Sequence, residues 1–154
     1  MAIRYLVAAL ALAVSFAAVA HADEPGANEP GDPAGAGIVR SVFDRAITNI
    51  PGKSLVAQEV SYAPGAKDAP HRHPQSAFIM AYVIYGAIRS QVEGEPSRIY
   101  RAGETWLEDP GAHHVLAENA STIKPARFLA VFVVDSTDQD SLITFDTNLG
   151  DSHE

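Results

Sequence analysis

The chain contains no cysteine among its 154 residues. That excludes disulfide staples, thiol nucleophiles, disulfide exchange and cysteine-ligated zinc. It also has no cluster of basic residues, and its formal charge is −8. Phosphate recognition needs a positive patch, so nucleic acid is excluded as an expected partner, and the acidity reads as solubility. No βαβ pattern, phosphate-binding glycine loop, clear internal repeat or nucleophile elbow is present. The longest uncharged apolar run, Tyr5 to Ala18, is short for a membrane span, which needs about 20 apolar residues.

That run has the marks of a removable address. Arg4 gives a thin positive start, and Ala20-His21-Ala22 fits a small-x-small cleavage site before Asp23. The expectation is a cleaved signal peptide over 1–22, a secreted or periplasmic product, and no stable membrane insertion afterwards. Loss of Arg4 takes the formal charge from −8 to −9. Residues 23–37 are rich in Pro, Gly, Ala and acidic side chains, without hydrophobic periodicity, and read as a flexible lead-in. The folded domain is expected over 38–146, with a tail at 147–154. A domain of this size buries a real core without staples.

Within the domain, short apolar or alternating stretches are broken by turn residues. Val39, Val42, Phe43, Ala46 and Ile47 suit either a short amphipathic helix or a first edge strand, and their period does not decide. Strands are expected at Ser54 to Tyr62, Ala77 to Tyr85, Ala87 to Val92, Arg98 to Tyr100, Thr105 to Leu107, His114 to Ala117, Phe128 to Val134 and Leu142 to Phe145. The turns include Pro64-Gly65, Gly86, Glu93-Gly94, Ala102-Gly103 and Pro110-Gly111. So many short strands without a long helix predict an all-β sandwich or barrel.

Six histidines are distributed unevenly. His21 lies in the expected signal and His153 in the tail, while the others form His71-Arg72-His73 and His113-His114. Residues two apart in a strand share a face, so His71 and His73 can present two imidazoles to one point. Neutral imidazole suits zinc, iron, nickel and copper. A third ligand has to come from a neighbouring strand, and either His113 or His114 can supply it.

The motifs around these histidines resemble those of the cupin superfamily, particularly small secreted single-domain members with a conserved barrel. The first family motif runs Gly, five residues, His-x-His, three or four residues, Glu, six residues, Gly. Gly65-Ala-Lys-Asp-Ala-Pro-His71-Arg-His73 matches its front half. The second runs Gly, five residues, Pro-x-Gly, two residues, His, three residues, Asn. Gly103 through Asp109-Pro110-Gly111 to His114, followed by Asn119, matches it with Asp109 in place of the first proline and the Asn one residue late. The resemblance runs from about Ser54 to Val134. It implies an antiparallel double-stranded β-helix, the jelly-roll barrel, with a divalent metal inside (Fe, Mn, Ni, Zn or Cu). It selects His114 as the third ligand and turns His113 outward or toward the groups that surround the ligands.

The departure lies in the first motif's glutamate, a metal ligand in many members. Spacing from His73 lands on Ala77 or Phe78, and counting back seven from Gly86 lands on Ile79. The expectation is a three-histidine site without any carboxylate, with Gln75 as a candidate oxygen donor. Tyr82, Trp106 and Phe128, with Tyr85 and Phe132, are candidates to line a pocket for a flat or apolar ligand, against ordinary core packing. Glu104 and Glu108 read as a solvated strand face rather than as proton carriers. Arg72 reads as surface. The resemblance implies a small-molecule enzyme, an oxygenase or another metal-assisted catalyst, the alternative being a non-catalytic ligand- or metal-binding module. It also implies a homodimer, with Ile38 to Ile47 or Ser54 to Tyr62 at the contact.

Overall fold

The structure is a computed structural model that describes residues 35–146. The expected signal, all but the end of the lead-in, and the tail lie outside the described residues. Among the described residues there are eleven strands and no helix. They are β1 (Ile38–Ala46), β2 (Lys53–Tyr62), β3 (Lys67–Asp68), β4 (His71–Arg72), β5 (Phe78–Tyr85), β6 (Ala87–Val92), β7 (Arg98–Arg101), β8 (Thr105–Glu108), β9 (His113–Asn119), β10 (Ala126–Asp135) and β11 (Thr144–Phe145). All pairings are antiparallel. One sheet runs β1-β2-β10-β5-β8. The other runs β11-β4-β9-β6-β7, with β3 also on β9.

The open question at Ile38 to Ile47 resolves as strand β1. It pairs with β2 along its length, with an irregularity between Ser41 and Phe43. An extra residue there shifts side-chain parity, which is why neither a helical nor a strand period fits the sequence. β1 is an edge, and β2 is interior, between β1 and β10.

β10 alternates buried and half-buried residues from Ala126 to Asp135. Its inward residues Phe128, Ala130, Phe132 and Val134 join Val56, Val60, Tyr62, Ile79, Ala81, Val83, Ile88 and Trp106 in one core between the sheets. The outer face of the first sheet is apolar as well. Phe43, Ala57, Val131, Met80 and Leu107 are cross-strand neighbours in a single row over all five strands. Both faces of β5 are therefore apolar, and its sequence reads as an unbroken run instead of an alternation.

Candidate metal centre

His71 on β4 and His114 on β9 are direct cross-strand partners. Side chains so paired stand on the same face with Cβ atoms about 4.5–5.5 Å apart. β4 ends at Arg72, but the His73 N–H still donates to the Ala112 carbonyl at 3.0 Å. His73 thus keeps the inward parity of His71. All three histidines are buried, and each offers a ring nitrogen within 4.8 Å of the others'. Ring centroids are 5.0 Å apart for His71 and His73, and 5.1 Å for His71 and His114.

The remaining ring nitrogens fix orientation. His71 Nδ1 lies 2.9 Å from the Ala69 carbonyl, and His73 Nδ1 lies 2.7 Å from the Leu142 carbonyl. A carbonyl only accepts, so both Nδ1 atoms carry the hydrogen and both Nε2 atoms offer lone pairs when the rings are neutral. Backbone anchoring of this kind sets the tautomer of metal-ligating histidines. His114 Nε2 is 2.8 Å from Ser90 Oγ.

Glu108, at the end of β8, corrects the expectation of a site without a carboxylate. It is buried, only 4% exposed, rather than part of a solvated face. Oε1 accepts the Trp106 indole N–H at 3.0 Å and lies 3.3 Å from His114 Nδ1. Oε2 lies 3.2 Å from His73 Nε2, yet it is a buried oxygen without an aligned hydrogen-bond donor. With Nδ1–H committed to Leu142, the Nε2 position of His73 faces a carboxylate oxygen, and a cation between them would satisfy both.

The electrostatics agree. Burial lowers the pKa of His71 below the ordinary histidine range and takes His114 down to about 4, so these rings stay neutral and able to ligate. Burial alone would raise Glu108, but the adjoining His73 and His114 rings and the Trp106 indole N–H outweigh it and bring it to about 2. The carboxylate is ionised.

The other expected residues divide. Phe128 lines the site cavity. Trp106 lies behind it, packed between Tyr100 and Phe128, and holds Glu108. Tyr82 is 41% exposed on the outer sheet face, because odd-numbered residues of β5 point inward. Tyr85 is also exposed, with the Arg127 guanidinium over its ring. Gln75 is exposed in the turn after Pro74 and packs over Gly111, outside the histidine cluster. Proline ends the strand there, so parity no longer predicts direction. His113 faces away from the cluster, between Arg72 at 2.9 Å and Asp146 at 2.9 Å. Asn119 ties the Ala63 and Lys124 carbonyls together and is a loop clasp.

Sequence reasoning missed Tyr62 and Asp68. Both line the cavity, and the Tyr62 hydroxyl donates to Asp68. Burial, and then the charge of Asp68, raise the phenol pKa well above its ordinary value, so Tyr62 remains protonated. The cavity is small, with about 40 Å³ open to water centres, and no lysine or arginine lines it. It has room for an ion and a few small groups.

A flattened antiparallel barrel with three inward histidines from adjacent strands defines a metal-binding β-barrel class. A family model described as "Cupin domain" matches residues 58–132. An oxalate oxidase in complex with glycolate is 25% identical with a TM-score of 0.58, over 77% of this chain and 59% of that chain. The DMSP lyase DddQ from Ruegeria pomeroyi DSS-3 is 22% identical with a TM-score of 0.50, over 59% of this chain and 42% of that one. The cupin domain of Cnp3 from Schizosaccharomyces pombe is 15% identical with a TM-score of 0.52, over 66% and 63%. No curated protein matches the sequence. The chain belongs to the cupin superfamily. It spans 59% of the length of the oxalate oxidase.

Proposed function

We propose that this cupin holds one divalent transition-metal ion on His71, His73 and His114 and transforms a small organic molecule there, in an oxygenase or another metal-assisted reaction. The observation that carries this reading is the pair of Nδ1–H bonds to the Ala69 and Leu142 carbonyls, which leave two Nε2 lone pairs free beside the buried His114 ring. Imidazole donors suit Fe, Mn, Ni, Zn and Cu alike. An ion so held supplies Lewis acidity and open positions for substrate or water.

The chain's own residues set the terms of that chemistry. Val60, Ile79, Phe128 and Phe132 give the cavity an apolar wall. Tyr62 donates to Asp68, so its proton is held at the cavity wall. The small volume and the absence of a lysine or arginine in the wall favour a compact substrate of a few heavy atoms without a second anionic group. The similarity to an oxalate oxidase supports the small-molecule reading.

Metal analysis of the purified protein tests the proposal, together with oxygen uptake and product detection on compact organic acids, alcohols and sulfur compounds. About one equivalent of metal, absent from His73→Ala, with turnover is expected. Metal without turnover on any of these would leave a binding module, and no metal would overturn the reading. Export remains part of the proposal, supported by the apolar run before Ala20-His21-Ala22. Mass spectrometry of the protein from its own host reads where the mature chain begins, and a cytoplasmic chain with an intact Met1 would refute it.

A further inference from the structure

The first cupin motif lacks its glutamate in this chain, yet Glu108 brings a carboxylate to the histidines from elsewhere. Of the three positions that the motif spacing allowed, the structure singles out one. Phe78 is 41% exposed and points outward, and Ala77 is buried but does not line the cavity. Ile79 is 1% exposed and lines the cavity wall. Ile79 and Glu108 are direct cross-strand partners in the β5–β8 ladder. Both point inward, and partners in such a pair reach nearly the same volume. The carboxylate and the aliphatic side chain stand as if exchanged across one pair of strands.

We infer that Glu108 is the fourth, anionic ligand of the metal, delivered from β8 in place of the missing glutamate of β5. The inference rests on the metal reading above and goes beyond it by naming a donor at a variable position of the second motif, where the motif specifies no ligand. Three observations support it. Glu108 Oε2 is buried and lacks an aligned donor. The same oxygen lies 3.2 Å from His73 Nε2, a ring nitrogen whose partner nitrogen is already committed to the Leu142 carbonyl. Oε1 is held by Trp106 and lies beside His114, so the carboxylate bridges two of the three histidines and is fixed by a donor outside the cluster. Three neutral imidazoles would leave a buried ion with its full double charge, and a carboxylate in the same shell halves it.

Cobalt(II) binding provides the test, because the visible spectrum of the ion reports its ligands independently of turnover. Chelator competition with the wild type, Glu108→Gln, Ile79→Glu/Glu108→Ile and His73→Ala gives the affinities, and circular dichroism checks folding. Glu108→Gln is expected to bind cobalt on the order of 10- to 100-fold more weakly, with an altered spectrum at saturation. The exchanged variant keeps one carboxylate and one isoleucine in the pair and is expected to recover most of that loss. Affinity and spectrum unchanged in Glu108→Gln would overturn the inference while leaving the three-histidine site intact. Weaker binding with an unchanged saturated spectrum would make Glu108 a positioning residue acting through His73, and would also overturn it. A folded exchanged variant no tighter than Glu108→Gln would refute the exchange across the pair. Wild type that binds cobalt no better than His73→Ala would fail the metal reading itself.

Discussion

Trp106 donates its indole N–H to Glu108 Oε1 at 3.0 Å, a bond between two inward-facing residues of one short strand. It connects the apolar core to the metal centre, because the Trp106 ring packs on Phe128 and Tyr100 while its N–H holds the buried carboxylate. Trp106→Phe keeps an aromatic ring in place and removes the donor. Hydrogen bonds to a charged group are worth about 1.5–3 kcal/mol, so the variant should lose at least about that much stability. Urea unfolding with chelator present measures it. A loss below about 0.5 kcal/mol would mean that Trp106 only packs.

His113 and His114 are adjacent, yet only one faces the cluster. His71→Ala, His73→Ala and His114→Ala should each strip the metal, whereas His113→Ala should retain most of it. Metal should also raise the melting temperature of the wild type and of His113→Ala. Ligand at about 100 times its dissociation constant adds about 2.7 kcal/mol to the folded state. Elemental analysis and paired melts with and without chelator read both effects. Loss of metal from His113→Ala alone would reverse the assignment.

The expected homodimer had Ile38 to Ile47 or Ser54 to Tyr62 at its contact, and we propose that the contact extends over the outer face of the five-stranded sheet to which both belong. Leu107 on β8 is 57% exposed with Phe78 and Tyr82 exposed beside it on β5, and Phe43 is exposed at the opposite edge on β1. An apolar face of this kind marks an interaction site, and a self-complementary patch closes as a two-fold dimer. Leu107→Lys should shift the protein from dimer to monomer in light scattering at tens of micromolar, with cobalt affinity unchanged. A wild type that is already monomeric at that concentration would dispose of the dimer.

The all-β fold and two of the site's strands were legible because their signals are local. The alternation of β10 and the His-x-His step both depend on a period of two, which neighbouring residues display directly. Gln75 was misplaced because Pro74 breaks the strand on which that period rests. Tyr82 was misplaced because both faces of β5 are apolar, so the sequence gives no sign of which face turns inward. Glu108 was obscured by the shortness of β8, although one signal was present. It lies two residues from Trp106, and a tryptophan that packs in the core carries its same-face neighbour inward with it. What no local pattern contains is the register of β8 on β5, which sets Glu108 opposite Ile79. That pairing depends on the whole barrel.

Access to the site gives the last prediction. Val39, Gln58 and Ile143 line both the inner cavity and a wider surface basin of about 570 Å³ bordered by residues 139–143 and by β1. We propose that these three shared side chains form a neck between the two, and none is a candidate ligand. Changing the neck should therefore alter the rate of entry rather than the strength of metal binding. Azide added to the cobalt-loaded protein reports entry through the change in the visible spectrum. Ile143→Ala should bind and release azide several-fold faster with a nearly unchanged dissociation constant, because widening a passage speeds both directions alike. Ile143→Trp should slow both. Cobalt affinity should match the wild type in each variant, which separates a gate from damage to the site. Azide kinetics identical in all three proteins would show that ligands reach the histidines by another route.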